Sequence, residues 1–270
     1  MKFDLHTHHE RCGHADGTIE DYIRAALKAE MTVIGISDHS PYFAREEDRP
    51  FPQITMAKSE FASYVEEVLR LKEKYAGRIE VLLGVESDFF PNEIEAYREA
   101  YARYPFDYII GSVHQTRGIS IFNRNRWKKL GEAEKVEDKK EYYRLIRDSA
   151  NDGLFQILGH IDAMKGYYPA FSDIRGAESE IDDVFRAVKE NDIAIEINTS
   201  GKTKDCGGWY PSDELLERAL RFGVDVTFGS DAHVPGRVGD EWEQVRARLR
   251  EIGFSRWVFY RQKRKVPVPI

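Results

Sequence analysis

Cysteine is scarce: the 270-residue chain has 2, Cys12 and Cys206. They make neither a CxxC pair nor a disulfide framework, which fits a reducing compartment and leads to the expectation of a cytoplasmic protein. Cys12 lies in a histidine-rich loop but reads as a small buried thiol. Long apolar runs are missing too. No stretch approaches the roughly 20 residues that cross a bilayer, and Met1-Lys2-Phe3-Asp4 lacks the apolar segment of a secretory signal, so no membrane partner is expected. Positive charge is in deficit, with a net charge of -7, and this argues against a nucleic-acid partner, which calls for a basic face. The one basic cluster, Arg261-Gln262-Lys263-Arg264-Lys265, reads as a solvated final strand or tail. A dinucleotide glycine fingerprint and a P-loop are both absent, which removes the usual reason to infer an open doubly wound sheet.

What is present is a steady alternation of short apolar runs with amphipathic segments. The first run, Phe3-Asp4-Leu5, leads into His6-Thr7-His8. Thr18 with Asp21 has the form of a capping box opening a helix over Ile19 to Glu30. Further strands are expected at Val33–Ser37, Ile79–Val85, Tyr108–Val113, Phe155–Gly159, Ile193–Asn198 and Val224–Gly229, with helices between them and Gly77 ending the second helix. The insertion from Gly118 to Lys135 reads equally as a lid and as a surface loop. Seven strand–helix units without a linker or a change of composition predict an α/β fold, a single parallel (β/α)7 barrel of TIM-like form, over residues 1–270.

The histidines carry the functional signal. All 8 of them, His6, His8, His9, His14, His39, His114, His160 and His233, fall at or just beyond the C-terminal end of a predicted strand. Glu86 and Asp231 occupy equivalent positions. His6 and His8, two apart on a strand, point to the same side. A lone His-x-His is a polar strand end, but a barrel gathers all its strand ends on one face. So many ligand-competent groups exceed what one tetrahedral ion accepts, and imidazole with carboxylate suits zinc, iron or manganese better than magnesium or calcium. Glu86, surrounded by histidines, is placed to bridge two ions.

The series His6-Thr7-His8, Ser37-Asp38-His39-Ser40, Gly84-Val85-Glu86, Gly111-Ser112-Val113-His114, Gly159-His160-Ile161-Asp162 and Gly229-Ser230-Asp231-Ala232-His233 resembles the PHP (polymerase and histidinol phosphatase) superfamily. His6 through Cys12-Gly13-His14, and Thr199-Ser200-Gly201 through Tyr210-Pro211, resemble its histidinol-phosphate phosphatase branch. The resemblance implies a distorted (β/α)7 barrel with three divalent ions, zinc, manganese or iron. By position, His6, His8, Glu86 and Asp231 would hold the first, His14, His39 and His233 the second, and Glu86, His114 and His160 the third. The loop ligand of the second ion is His or Asp in the superfamily; His14 is preferred, with Asp16 as the alternative, and His9 is expected behind the ligands. The activity implied is hydrolysis of L-histidinol phosphate in histidine synthesis, a bridging hydroxide attacking phosphorus and Asp231 or His233 relaying a proton to the leaving oxygen. Another phosphomonoester, a nucleotide or a phosphodiester is the alternative substrate, and a non-catalytic metal-binding barrel the alternative role. Arg117, Lys165, Lys202 and Lys204 follow strand ends and are candidates for binding the phosphate. Trp209 and Tyr210, or Phe43 and Glu46, are candidates for the imidazole and ammonium groups of the small phosphorylated substrate.

Overall fold

Short β-branched runs that are apolar on both faces, each followed by an amphipathic helix, bury themselves best as parallel strands under a coat of helices. The computed structural model, which describes residues 1–270, has this arrangement. In chain order come β1 (Phe3–Asp4), α1 (Ile19–Lys28), β2 (Val33–Ile36), α2 (Phe61–Lys74), β3 (Glu80–Leu83), β4 (Glu86–Asp88), α3 (Ile94–Tyr101) and β5 (Ile110–Ser112). A small hairpin follows, β6 (Gln115–Thr116) and β7 (Ile119–Ser120), and then α4 (Glu132–Asp152) and β8 (Ile157–Leu158). The chain ends with α5 (Glu178–Glu190), β9 (Ala194–Asn198), α6 (Asp213–Phe222), β10 (Asp225–Gly229), α7 (Trp242–Ile252), β11 (Arg256–Arg261) and β12 (Arg264–Pro269).

One parallel sheet has the order β1-β2-β3 and the other β10-β9-β8-β5-β4. They join at both edges. β3 continues into β4, with a parallel bridge between His39 and Glu86, and the ring closes through the bridge Thr7–Ala232 and the bond from Leu5 N–H to Phe228 O at 3.1 Å. Counting β3–β4 as one broken strand gives the expected seven-stranded barrel. One apolar cluster of 75 buried residues runs through strands and helices, leaving no seam at which the chain divides. At the break between β3 and β4 the backbone passes close to an aromatic ring. Tyr108 lies across the barrel interior with its hydroxyl donating to Leu5 O, and a Cβ on Gly35 or Gly84 would overlap its ring. No helix is long and apolar enough to cross a membrane.

The capping box at Thr18 and Asp21 is present. α1 stops at Lys28 rather than Glu30, because Glu30 turns left-handed at φ 58°. α2 ends at Lys74, and Gly77 (φ 79°) serves the turn that follows instead of the helix end itself.

The C-terminal basic cluster is not a free tail. It forms the turn of the antiparallel hairpin β11–β12, which covers the N-terminal mouth of the barrel. Trp257 packs on Phe3, Phe228 and Trp242. Arg261 pairs with Glu80, and Lys265 with Asp192 and Asp225. Asp107, buried at the start of β5, accepts from Leu83 N–H (2.9 Å), Gln262 N–H (3.0 Å) and Lys72 Nζ (2.8 Å). Asp107→Ala strands these donors at the barrel floor, and we expect a loss of about 3 kcal/mol of stability. That is a Tm lower by roughly 6–10 °C in a thermal melt, with turnover at low temperature unchanged.

Candidate metal centre

The C-terminal strand ends form the opposite mouth, and all the histidines meet there. His6 and His8 leave β1 side by side, fully buried, with ring centroids 5.0 Å apart. His39 follows β2, Glu86 opens β4, His114 follows β5, His160 follows β8, and Asp231 and His233 follow β10. His14 reaches in from the loop after β1, its Nε2 3.0 Å from His233 Nε2. Asp16, the alternative, is exposed like His14; its backbone N–H donates to His233 O, and its carboxylate makes no hydrogen bond or ion pair with the cluster.

Glu86 lies at the middle. Its Oε2 is 2.8 Å from His39 Nδ1, 3.4 Å from His6 Nε2 and 3.7 Å from His8 Nε2. Its Oε1 is 2.9 Å from His160 Nε2 and 3.5 Å from His114 Nε2, and accepts from Ser112 Oγ at 2.7 Å. Asp231 Oδ1 lies 2.9 Å from His8 Nε2 and 3.8 Å from His6 Nε2. Two donors of one tetrahedral zinc, each bound at 2.0–2.1 Å, stand about 3.3 Å apart, and these separations cluster around that value. His6 Nε2, His8 Nε2 and Glu86 Oε2 are also buried with no hydrogen bond of acceptable geometry. Buried polar atoms left in that state, facing one another, fit a shared cation better than a hydrogen-bonded core. The groups close enough to share an ion are His6–His8–Asp231, His8–His39–His233, His39–Glu86–His114 and, behind them, His8–Cys12–Asp38. His39 thus stands between Glu86 and the His14–His233 pair.

A second layer of carboxylates backs the imidazoles, and the sequence reading assigned none of them a role. Glu196 Oε1 lies 2.6 Å from His6 Nδ1, Asp38 Oδ1 3.2 Å from His8 Nδ1 and Asp88 Oδ1 2.8 Å from His114 Nδ1. A carboxylate only accepts, so each fixes Nδ1 as the protonated nitrogen and turns Nε2 to the centre. His9 is buried behind them, 3.4 Å from Asp38 Oδ2 and stacked on Tyr64. Cys12 is a buried thiol that donates to His9 O, and burial pushes its pKa up. Without metal, burial disfavours charge on His6, His8 and His114, but the carboxylates outweigh it. His8 and His114 are raised to about 9, and His6 well above its ordinary value. His14 and His233 go the other way, to about 4 and about 3, through burial and the nearby imidazolium charges.

A cavity of about 500 Å³ opens over the centre, walled by Phe122, Tyr167, Tyr210, Ser200, Thr203, Lys204, Val234 and Arg237. Of the four basic residues expected at the mouth, only Lys204 lines it. Arg117 sits exposed on the β6–β7 turn at φ 51°. Lys165 is buried against Asp162 (2.8 Å), and Lys202 is drawn to Glu241. Arg237, not anticipated, is in the wall. Tyr210 faces the cavity, whereas Trp209 donates to Glu241, Phe43 packs on Phe61 and Tyr97, and Glu46 is exposed. The insertion after Gly118 is neither loose nor remote. Its Phe122 enters the wall 5.7 Å from His114, and its base is held by the buried pair Arg126–Asp138, to which Trp127 also donates.

A PHP domain model matches residues 4–200. The probable histidinol-phosphatase of Deinococcus radiodurans is 31% identical over 98% of this chain and 98% of its own length. The histidinol-phosphatase of Bacillus subtilis is 31% identical over 92% of this chain and 99% of its own. Among solved structures, the histidinol phosphate phosphatase of Lactococcus lactis, complexed with zinc, L-histidinol and phosphate, superposes with a TM-score of 0.82 over 98% of both chains at 20% identity, a likeness of fold.

Proposed function

The chain belongs to the PHP domain family, and from that premise we propose that it is a metal-dependent phosphomonoesterase that hydrolyses L-histidinol phosphate to L-histidinol and phosphate. The observation that carries the proposal is the convergence of seven imidazoles on Glu86 and Asp231 at one barrel mouth, in a chain collinear with a histidinol-phosphatase and a probable histidinol-phosphatase over nearly its whole length. We assign His6, His8, Glu86 and Asp231 to one ion, His14, His39 and His233 to a second, and Glu86, His114 and His160 to a third, the ions being zinc, manganese or iron. Such ions supply Lewis-acid charge to phosphoryl oxygens and lower the pKa of water.

The chain's own residues do the rest. Lys204 and Arg237 put positive charge on the cavity wall, where a phosphate dianion needs it. Phe122, Tyr167 and Tyr210 offer flat apolar faces to an imidazole. His233, the most solvent-accessible of the mouth imidazoles apart from His14, and Asp231 stand where a proton passes to the leaving alkoxide. The whole of residues 1–270 works as one barrel, on a small soluble ester in the cytoplasm, with no nucleic acid involved.

Phosphate release from L-histidinol phosphate by protein loaded with zinc or manganese tests this. We expect kcat/KM for that ester to exceed the values for nucleotides, sugar phosphates and phosphodiesters by at least about 10²-fold, and activity to vanish on exhaustive chelation and return with metal. A better ester in the panel would change the substrate. A metal-loaded protein that hydrolyses nothing would remove the enzyme.

A further inference from the structure

β9 brings to the centre a carboxylate that the ligand assignment does not use. Glu196 is buried in the barrel interior opposite Thr227 of β10. Its Oε1 takes the His6 Nδ1–H at 2.6 Å. Its Oε2 accepts two donors at 3.0 Å, the backbone N–H of His160 and the side-chain amide of Asn198. That same Asn198 nitrogen lies 3.2 Å from Asp231 Oδ2, which also accepts from Ser200 Oγ at 2.9 Å. The neighbouring strand β10 leaves room for the group: a Cβ on Gly229 would overlap Glu196 Oε1. His160, whose backbone it holds, has φ 24°, and Asp231, whose side chain Asn198 touches, has φ 51°, left-handed conformations that such residues keep only where their surroundings impose them.

We propose that Glu196, supported by Asn198, is a positioning residue that sets ligands of two different ions at once, locking His6 in the tautomer whose Nε2 is free for a cation and holding the turn that aims His160. This rests on the metal-centre reading above but not on the identity of the ester. The alternative is a buried carboxylate kept only for stability.

Glu196→Gln separates the two roles. The His160 N–H and the Asn198 amide are both donors, so the oxygen of the new side chain must face them. Its NH2 then faces His6 Nδ1, which becomes the acceptor, and the proton moves to Nε2, the nitrogen an ion needs bare. The expected result, read in the metal-free protein at a pH high enough for the His6 ring to be neutral, is a reversed His6 tautomer in the ¹⁵N NMR spectrum. Zinc affinity falls by roughly 10–100-fold, and the ratio of zinc to protein after dialysis against buffered free zinc is lower than in the wild type. Glu196→Asp, which keeps an acceptor, recovers part of the affinity, and Asn198→Ala gives a smaller loss of the same sign. Glu196→Gln with wild-type zinc affinity and an unchanged tautomer overturns the proposal, even if its metal-free Tm is lower. Should that variant not fold, wild-type affinity in both Glu196→Asp and Asn198→Ala overturns it equally. A wild-type protein that binds no zinc overturns the metal centre and this inference together. A zinc-loaded wild type inert on L-histidinol phosphate overturns only the substrate.

Discussion

Glu86→Gln should give a folded protein that has lost both its metal and its activity. The native carboxylate has five imidazole nitrogens within 3.7 Å, on strand ends from β1, β2, β5 and β8. The His39, His6 and His114 charges together hold its pKa well below the ordinary value although burial opposes them. It is therefore an anion near neutral pH. The amide keeps the size of the side chain and still accepts from Ser112 Oγ, so the backbone has little cause to move. It carries no charge, however, and offers one carboxylate-type oxygen where the two ions proposed to share this group would need two. Taking a shared anion from between cations raises the free energy of every metal-bound state. We expect kcat/KM to fall by at least about 10³-fold, about 4 kcal/mol of barrier, and bound metal to fall below the wild-type ratio. Arg117→Ala is the matching control. That guanidinium is exposed on a hairpin turn outside the cavity, and its loss should leave kcat/KM within about twofold, as for most surface changes. Wild-type metal content and turnover in Glu86→Gln would show that the imidazoles gather for some other reason.

The contrast between those two residues also marks what the sequence made legible. The histidines could be placed because strand ends of a parallel barrel converge whatever the loops do, so an imidazole one or two residues past a strand end has few other places to go. Glu86 and Asp231 were legible for the same reason. Lysines and arginines farther along the loops were not. Lys165 folds back onto Asp162, three residues upstream, and Lys202 finds Glu241 from another loop, choices set by tertiary packing that leave no periodic trace. Arg237, which does reach the cavity, lies in a 3-10 turn after β10 with nothing in its spacing to mark it. Glu196 was hidden differently. It occupies an alternating position in a strand read as apolar, and its partner His6 is 190 residues away. A carboxylate inside a buried strand is a signal that went unused, since ionised groups are rarely left unpaired in a core, though it does not say which partner is meant. The C-terminal basic cluster could be read as a strand, but its acidic partners Glu80, Asp192 and Asp225 meet it only once the barrel has closed.

Metal binding should be strongly pH-dependent and should release protons. In the metal-free protein the facing carboxylates raise His8 and His114 to about 9 and His6 well above its usual value, so near neutral pH these rings carry protons that an incoming cation must displace. His14 and His233, lowered to about 4 and about 3, are already neutral there. Zinc titrated into the metal-free protein at pH 7 should therefore expel protons, and fewer of them as the pH passes about 9, where His8 and His114 are already neutral. Calorimetric titrations in buffers of different ionisation enthalpy measure this directly. The stability of the metal-free fold runs in the opposite sense to metal affinity. A histidine whose folded pKa lies above its unfolded 6.5 contributes its full stabilisation below about pH 6.5 and loses it as the pH rises through about 9. Glu86 and Asp231, depressed by the same pairs, contribute above the ordinary carboxylate range and lose their contribution in acid. His14 and His233, depressed instead, cost stability as the pH falls below about 6.5, so the metal-free Tm should be highest near pH 6.5 and fall both toward pH 9 and in acid. The loaded protein, its imidazoles deprotonated and held by cations, should gain Tm over the same interval as metal affinity grows. Binding heats that do not depend on the buffer, or two melting curves that move in parallel with pH, would mean that the paired charges at this mouth are not exchanged for metal.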